Sequence, residues 1–315
     1  MRRFTDIAPP PLVTAQPDRN PGQPLDLNWL DRVQVDGAAI EAQAAEIDAN
    51  CEDSGTHHAA WLIRAIQCMD LTTLSGDDTP ARVETLCETA RTPLPSELAD
   101  RLGAGGLTVG AVCVYHAMIP AALVALDGSD IPVAAVSAGF PAGLSSPRAR
   151  VAEVEDSVAA GATEIDIVIP RYLALSGDWP ALHDDIRALR AVCGEAHLKC
   201  ILSVGELGDL TTVARASLTA MMAGADVVKT STGKEATNAT LPAALTMLDT
   251  IQAYHRATGH QIGFKPAGGI STARAALPYM AATHARLGPD WLQPTLFRFG
   301  ASSLLKDIRA TLAAS

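Results

Sequence analysis

The chain of 315 residues is 48% hydrophobic, carries a formal net charge of -11 and holds aromatic residues to 4%. That is apolar material enough for two ordinary domains or one large barrel. The acidic balance argues against a nucleic-acid surface, and the scarcity of rings against base-stacking or sugar-stacking faces.

Residues 1–24 are Pro-rich with polar residues between and read as extended or disordered. Two arginines follow Met1 with no apolar run after them, so no signal peptide is expected. In "DLNWLDRVQVDGAAIEAQAAEIDA", Ile40, Ala44 and Ile47 stand near helical spacing and predict a helical extension outside the main domain. "EDSGTHH" reads as a linker, which sets residues 1–58 apart from a catalytic domain at 59–315. Eight short apolar runs come next: "AIQCMDLTTL", "TVGAVCVY", "IPVAAVSAGF", "TEIDIVIP", "HLKCILSVGEL", "ADVVKTSTG", "QIGFKPAGG" and "LFRFGASS". Ala-rich helical candidates lie between them, several closed by Gly. Near-continuous apolar strands alternating with helices imply a parallel sheet. Eight such units over about 250 residues predict an α/β fold of the (β/α)8 TIM-barrel kind. An open doubly wound sheet is the runner-up, disfavoured because no strand-to-helix turn carries GxGxxG. The uncharged stretch 102–126 is long enough to span a bilayer, but its four glycines, Pro120 and β-branched "TVGAVCVY" predict a buried strand and a packed helix. Six cysteines without a CxxC pair read as buried thiols of a reducing, cytoplasmic compartment.

Only five of the 24 basic residues are lysines, at 199, 229, 234, 265 and 306. Lys229 and Lys265 each end an apolar strand and precede a Gly-containing turn. A desolvated lysine can lose its proton and an arginine cannot, so lysines at two strand ends suggest amine chemistry. Other polar strand-end residues are Asp70, Thr72, Cys113, Ser137, Asp166, Ser203 and Glu206. Asp166, flanked by isoleucines, needs a buried partner, for which Lys265 or Lys199 would serve. The turns "TSTGK", "PAGGI" and "FGASS" close the last three strands, where backbone N–H groups can cradle an anion. "STGKE" is no nucleotide P-loop, because Val228 and Glu235 stand where Gly and Ser or Thr are needed.

The motifs "DLTTLSGDDT", "AVCVY", "GATEIDIVI", "HLKCILSVGEL", "GADVVKTSTGKEATNAT", "IGFKPAGGI" and "FRFGASSLL" resemble, in this order from Trp61 to Ile308, those of the class I 2-deoxyribose-5-phosphate aldolase family. "DLNWLDRVQV" is similar to its longer-chain branch. The resemblance implies reversible cleavage of 2-deoxyribose 5-phosphate to acetaldehyde and glyceraldehyde 3-phosphate, in deoxyribonucleoside catabolism, without metal or organic cofactor. It implies Lys229 as the Schiff-base lysine, Lys265 as the cation that lowers its pKa, and Asp166 as its partner in a proton relay through water. Asp70, Thr72 and Thr232 would lie near the substrate and Cys113 near the aldehyde end. Gly233, Lys234, Gly268, Gly269, Ser302 and Ser303 would hold the phosphate. The partners implied are a small phosphorylated sugar and short aldehydes, with no nucleic acid and no membrane; self-association stays open. Three departures stand out: Ser271 where an arginine is usual, Val204 where threonine is usual before "GEL", and "TLAAS" where many members end in tyrosine. Another Schiff-base barrel and a non-catalytic phosphosugar-binding barrel are the competing readings.

Overall fold

Strands apolar on both faces must be covered on both, and helices that return the chain between parallel strands supply the outer cover. The computed structural model, which describes residues 3–13, 17–51 and 54–314, has this form. The strands are β1 (Met69–Thr72), β2 (Ala111–Tyr115), β3 (Val133–Ser137), β4 (Glu164–Val168), β5 (His197–Ile201), β6 (Val227–Lys229), β7 (Gly263–Lys265) and β8 (Phe299–Ala301). All pair in parallel, in the order β7-β6-β5-β4-β3-β2-β1-β8. Bridges Phe264–Phe297 and Ala267–Gly300 close the ring between β7 and β8. There Phe264 N donates to Leu296 O at 2.8 Å and Gly300 N to Pro266 O at 3.0 Å. The expected eight-stranded barrel is therefore present.

Before the barrel come α1 (Leu27–Arg32), α2 (Gly37–Asn50) and α3 (His58–Gln67). The helices around it are α4 (Pro80–Arg91), α5 (Ser96–Arg101), α6 (Ile119–Ala125), α7 (Pro147–Ala159), α8 (Arg171–Leu175), α9 (Trp179–Val192), α10 (Leu210–Met222), α11 (Leu241–Thr258), α12 (Ala273–Leu287) and α13 (Leu304–Ala314). Thr79, Ser146, Asp178, Asp209, Thr240 and Thr272 are the N-caps of α4, α7, α9, α10, α11 and α12, each accepting from a backbone N–H in the first turn. Such caps fix where each strand-end turn stops, and so set the length of the turns that carry the polar residues. The stretch 102–126 divides into β2 and α6, and no described helix is long and apolar enough to cross a membrane.

The N-terminal segment is fastened to the barrel rather than free of it. Arg64 donates to Pro10 O at 2.6 Å, Gln293 Nε2 to Pro11 O at 2.9 Å, and Asn20 Nδ2 to Met221 O at 2.7 Å. The predicted helical extension appears as α1 and α2, and α2 packs on α11 and α12.

Side chains alternate across each strand. Ile165 and Ile167 of β4 join the large apolar layer between strands and helices. Inside the barrel lies a small apolar cluster of Cys113, Ala134, Val136, Phe140, Val168 and Ile201. Beside it the interior carries a network of buried charged side chains.

Candidate active site

The alternation that turns Ile165 and Ile167 outward turns Glu164 and Asp166 inward. Parallel register then sets Asp166 beside Lys199, and Lys229 beside Lys265. Buried charges are stable only when paired, and these are paired closely. Lys199 Nζ lies 2.6 Å from Glu164 Oε2, 2.8 Å from Asp166 Oδ1 and 3.4 Å from Asp70 Oδ2. Lys265 Nζ is 2.7 Å from Asp166 Oδ2 and also bonds Asp70. Arg298 bonds Asp70 and reaches Glu164 Oε1 at 2.8 Å. Lys229 Nζ has one carboxylate contact, Asp166 Oδ2 at 2.8 Å, an oxygen it shares with Lys265.

Three carboxylates (Asp70, Glu164, Asp166) thus face four cationic side chains (Lys199, Lys229, Lys265, Arg298). If all were ionised, one cation would be in excess, and the electrostatic cost falls on the least compensated group. Burial lowers the pKa of all three lysines. For Lys199 the carboxylates of Asp166, Glu164 and Asp70 more than offset it, and its pKa rises well above the ordinary value. For Lys265, Asp166 and Asp70 do the same. At Lys229 burial prevails: Asp166 opposes it, but the cation of Lys265 adds to it, and the pKa falls below that of an ordinary lysine. Burial pushes Asp166 and Asp70 upward, yet the surrounding cations outweigh it and hold both below the usual carboxylate range. Of the three amines, Lys229 alone has its pKa lowered.

Above this network opens a cavity of about 350 Å³. Of the thirteen residues expected at the site, nine line it: Thr72, Lys229, Thr232, Gly233, Lys234, Gly268, Gly269, Ser302 and Ser303. Lys265, Asp166, Asp70 and Cys113 lie beneath, fully buried. Asp70, expected near the substrate, pairs with Lys265, Lys199 and Arg298. Cys113 belongs to the small apolar cluster, where burial, then Asp166, raises its pKa, so it is a thiol. Ser271 lines the cavity, leaving Lys234 at the rim and Lys229 at the base as its two cations among the described lining residues.

The three turns differ. The N–H groups of Gly268, Gly269, Ser302 and Ser303 make no hydrogen bond among the described residues, and Gly268 and Gly269 hold φ of +83° and +81°. These donors are open to an anion. In the "TSTGK" turn the N–H groups of Thr232, Gly233 and Lys234 all donate to the carboxylate of Glu235 at 3.0–3.2 Å. In this turn, expected from the sequence to cradle an anion, a carboxylate of the chain itself takes the three donors. Sequence reasoning missed Glu235, Glu164 and Arg298, and weighed Lys199 only as a partner for Asp166. Period two was the available signal, since Glu164 stands two before Asp166 and Arg298 two before Gly300.

The sequence model of the DeoC/LacD family aldolases matches residues 64–309. The chain is 50% identical to the deoxyribose-phosphate aldolase of Mus musculus over 291 residues, 91% of this chain and 92% of that one. It is 50% identical to the Homo sapiens deoxyribose-phosphate aldolase over 293 residues, 92% of each. Among solved structures, the deoxyribose phosphate aldolase of Aeropyrum pernix shares the fold at a TM-score of 0.64 and 19% identity, over 87% of this chain and 99% of that one.

Proposed function

The chain belongs to the DeoC/LacD family of aldolases, and we propose that it reversibly cleaves 2-deoxy-D-ribose 5-phosphate to acetaldehyde and D-glyceraldehyde 3-phosphate through an imine on Lys229. The observation that carries this reading is the position of Lys229: it alone of the three buried lysines both lines the cavity and has a lowered pKa. Its neutral amine adds to the C1 aldehyde, and loss of water gives a protonated imine. The iminium accepts the electron pair of the C2–C3 bond while the C3 hydroxyl gives up its proton. Glyceraldehyde 3-phosphate leaves, and an enamine stays on Lys229. Protonation at C2 and hydrolysis then return acetaldehyde and the free amine. Asp166 and Lys265, 2.7 Å apart beside Lys229, are suited to move these protons through a bridging water. The open N–H groups of Gly268, Gly269, Ser302 and Ser303, with the ammonium of Lys234, suit the phosphate. The six free buried thiols agree with a reducing, cytoplasmic setting, and such an activity would serve deoxyribonucleoside catabolism.

The test is borohydride reduction in the presence of acetaldehyde, followed by peptide mass spectrometry. A two-carbon adduct is expected on the peptide carrying Lys229 and is expected to vanish in Lys229→Ala. An adduct on Lys199 or Lys265 would reverse the assignment. Trapping by ketones but not by acetaldehyde would point to a different Schiff-base barrel, and no trapping at all to a non-catalytic one.

A further inference from the structure

Glu235 lies next to the site, yet it does not line the cavity that Thr232, Gly233 and Lys234 line. Its side chain folds back behind the turn and collects the three N–H groups of those residues. The Ser203 hydroxyl lies close enough to help hold the carboxylate as an anion. Ser203 is itself fully buried in a left-handed conformation (φ +57°) at the end of β5. The backbone of Glu235 also takes part, since Asn238 Nδ2 donates to its carbonyl at 2.9 Å. Asn238 in turn fills the space beside Gly268, where an added Cβ would lie 2.6 Å from its side chain. Contact between the β5 and β6 turns is tight as well: a Cβ on Gly205 would meet Thr237 O at 2.0 Å. One half-buried carboxylate thus joins the β5 turn to the β6 turn, with Asn238 extending the link to the β7 turn.

Burial pushes the Glu235 carboxyl upward, but the bonds from Ser203 and from the Thr232 N–H outweigh it and hold it below the usual range. The group is therefore an anion, and an anion in this cradle occupies the donors a phosphate would otherwise use. A dianionic phosphate cannot share those N–H groups with a carboxylate without strong repulsion.

We propose that Glu235 is a positioning residue for substrate recognition: it acts as a permanent internal anion that shapes the β6 turn, sets Lys234 at the cavity rim, and assigns the phosphate to the β7 and β8 turns. This rests on the reading of the chain as a 2-deoxyribose 5-phosphate aldolase. On this assignment the β6 turn contributes an ammonium group and no backbone donor. The phosphate lies against Gly268–Gly269 and Ser302–Ser303, and the reacting carbon stays over Lys229.

The experiment compares the full-length wild type with Glu235→Ala and Glu235→Gln. Loss of the carboxylate is expected to raise KM for 2-deoxyribose 5-phosphate about tenfold, the value of one lost charge-assisted contact at Lys234. KM for unphosphorylated 2-deoxyribose should not change, and kcat should stay within about twofold. Glu235→Gln keeps an oxygen facing the N–H groups and should recover most of the loss, which a general unfolding of the turn would not do. Inhibition by inorganic phosphate should weaken in parallel with KM. An unchanged or lower KM for the phosphate ester in either variant would overturn the proposal; a lower one would mean that Glu235 competes with the phosphate for the cradle. If Glu235→Ala does not fold, Glu235→Gln alone decides, with about a threefold rise expected. If the wild type does not cleave 2-deoxyribose 5-phosphate, the proposed activity fails, and phosphate binding to wild type and variant by calorimetry still decides the role of Glu235.

Discussion

Lys229 is 3% exposed with one carboxylate contact, and its behaviour depends on what the neighbouring charges leave uncompensated. Removing Lys265 balances the network at three cations and three carboxylates, so Lys229 would then be held as an ammonium. Lys265→Met is therefore expected to lose turnover by about a hundredfold or more, the scale of a lost proton-transfer group. It should also move the acid limb of the pH–rate profile to higher pH. The sign follows from the cation: Lys265 lowers the pKa of Lys229, so its loss raises it. A limb that stays in place would show that Lys265 moves protons without tuning the nucleophile. Lys229, Lys265 and Asp166 were legible in the sequence because two strand-end lysines stand out in a chain with five lysines, and a carboxylate between isoleucines demands a partner. Glu164, Lys199 and Arg298 were harder to read. They lie one step deeper along their strands, where sequence alone does not say which strands face one another across a barrel. Glu235 was read only as the residue that breaks a P-loop pattern, because a side chain folding back on its own turn leaves no mark in spacing.

Eight strands and the helices that return between them follow from apolar runs of strand length, Gly after helices and Ser, Thr or Asp before them. Barrel closure between β7 and β8 is less legible, because it depends on the approach of two backbones. At Gly300 an added Cβ would lie 2.7 Å from Ala267 Cβ and 3.3 Å from Lys265 Cε. The missing side chain lets the seam close and leaves a path for the lysine stem. Gly300→Ala is expected to cost about 1–3 kcal/mol in urea unfolding, as overpacking of a close contact does. It should also lower kcat several-fold, because the strained contact displaces Lys265 from Asp166. Lost stability with unchanged kcat would mean that the seam opens without moving the lysine.

Across the whole molecule, the N-terminal segment binds the end of the barrel opposite the cavity. Asp226 precedes β6, whereas Lys229 ends it. Its carboxylate accepts from Asn20 N at 2.8 Å, Leu198 N at 2.9 Å and Arg190 at 3.0 Å. The Asn20 side chain donates to Met221 O and Ala225 O and accepts from Tyr254 Oη at 3.2 Å. Through its own bonds and those of Asp226, one buried asparagine thereby connects the segment to β5, α9, α10 and α11. Composition alone reads residues 1–24 as extended or disordered; among those described, Phe4–Asp6 form a single 3-10 turn, and the bonds of Asn20, with those to Pro10 O and Pro11 O, hold the stretch in place. Asn20→Ala would leave Ala225 O without its side-chain donor and Gly22 N–H without its acceptor, while Met221 O keeps Gly224 N and Tyr254 keeps Met221 O. A cost of about 2–4 kcal/mol is expected, since each buried group left unpaired forfeits roughly 1–3 kcal/mol and the tyrosine keeps a partner. Because the lesion lies at the N-terminal end of the strands, kcat and KM at a temperature where the variant is folded should match the wild type. Denaturant unfolding and steady-state kinetics on the same preparation separate the two effects. A change in kcat with little loss of stability would mean that the segment acts on the catalytic end through β5 and β6, which Asp226 joins through the N–H of Leu198.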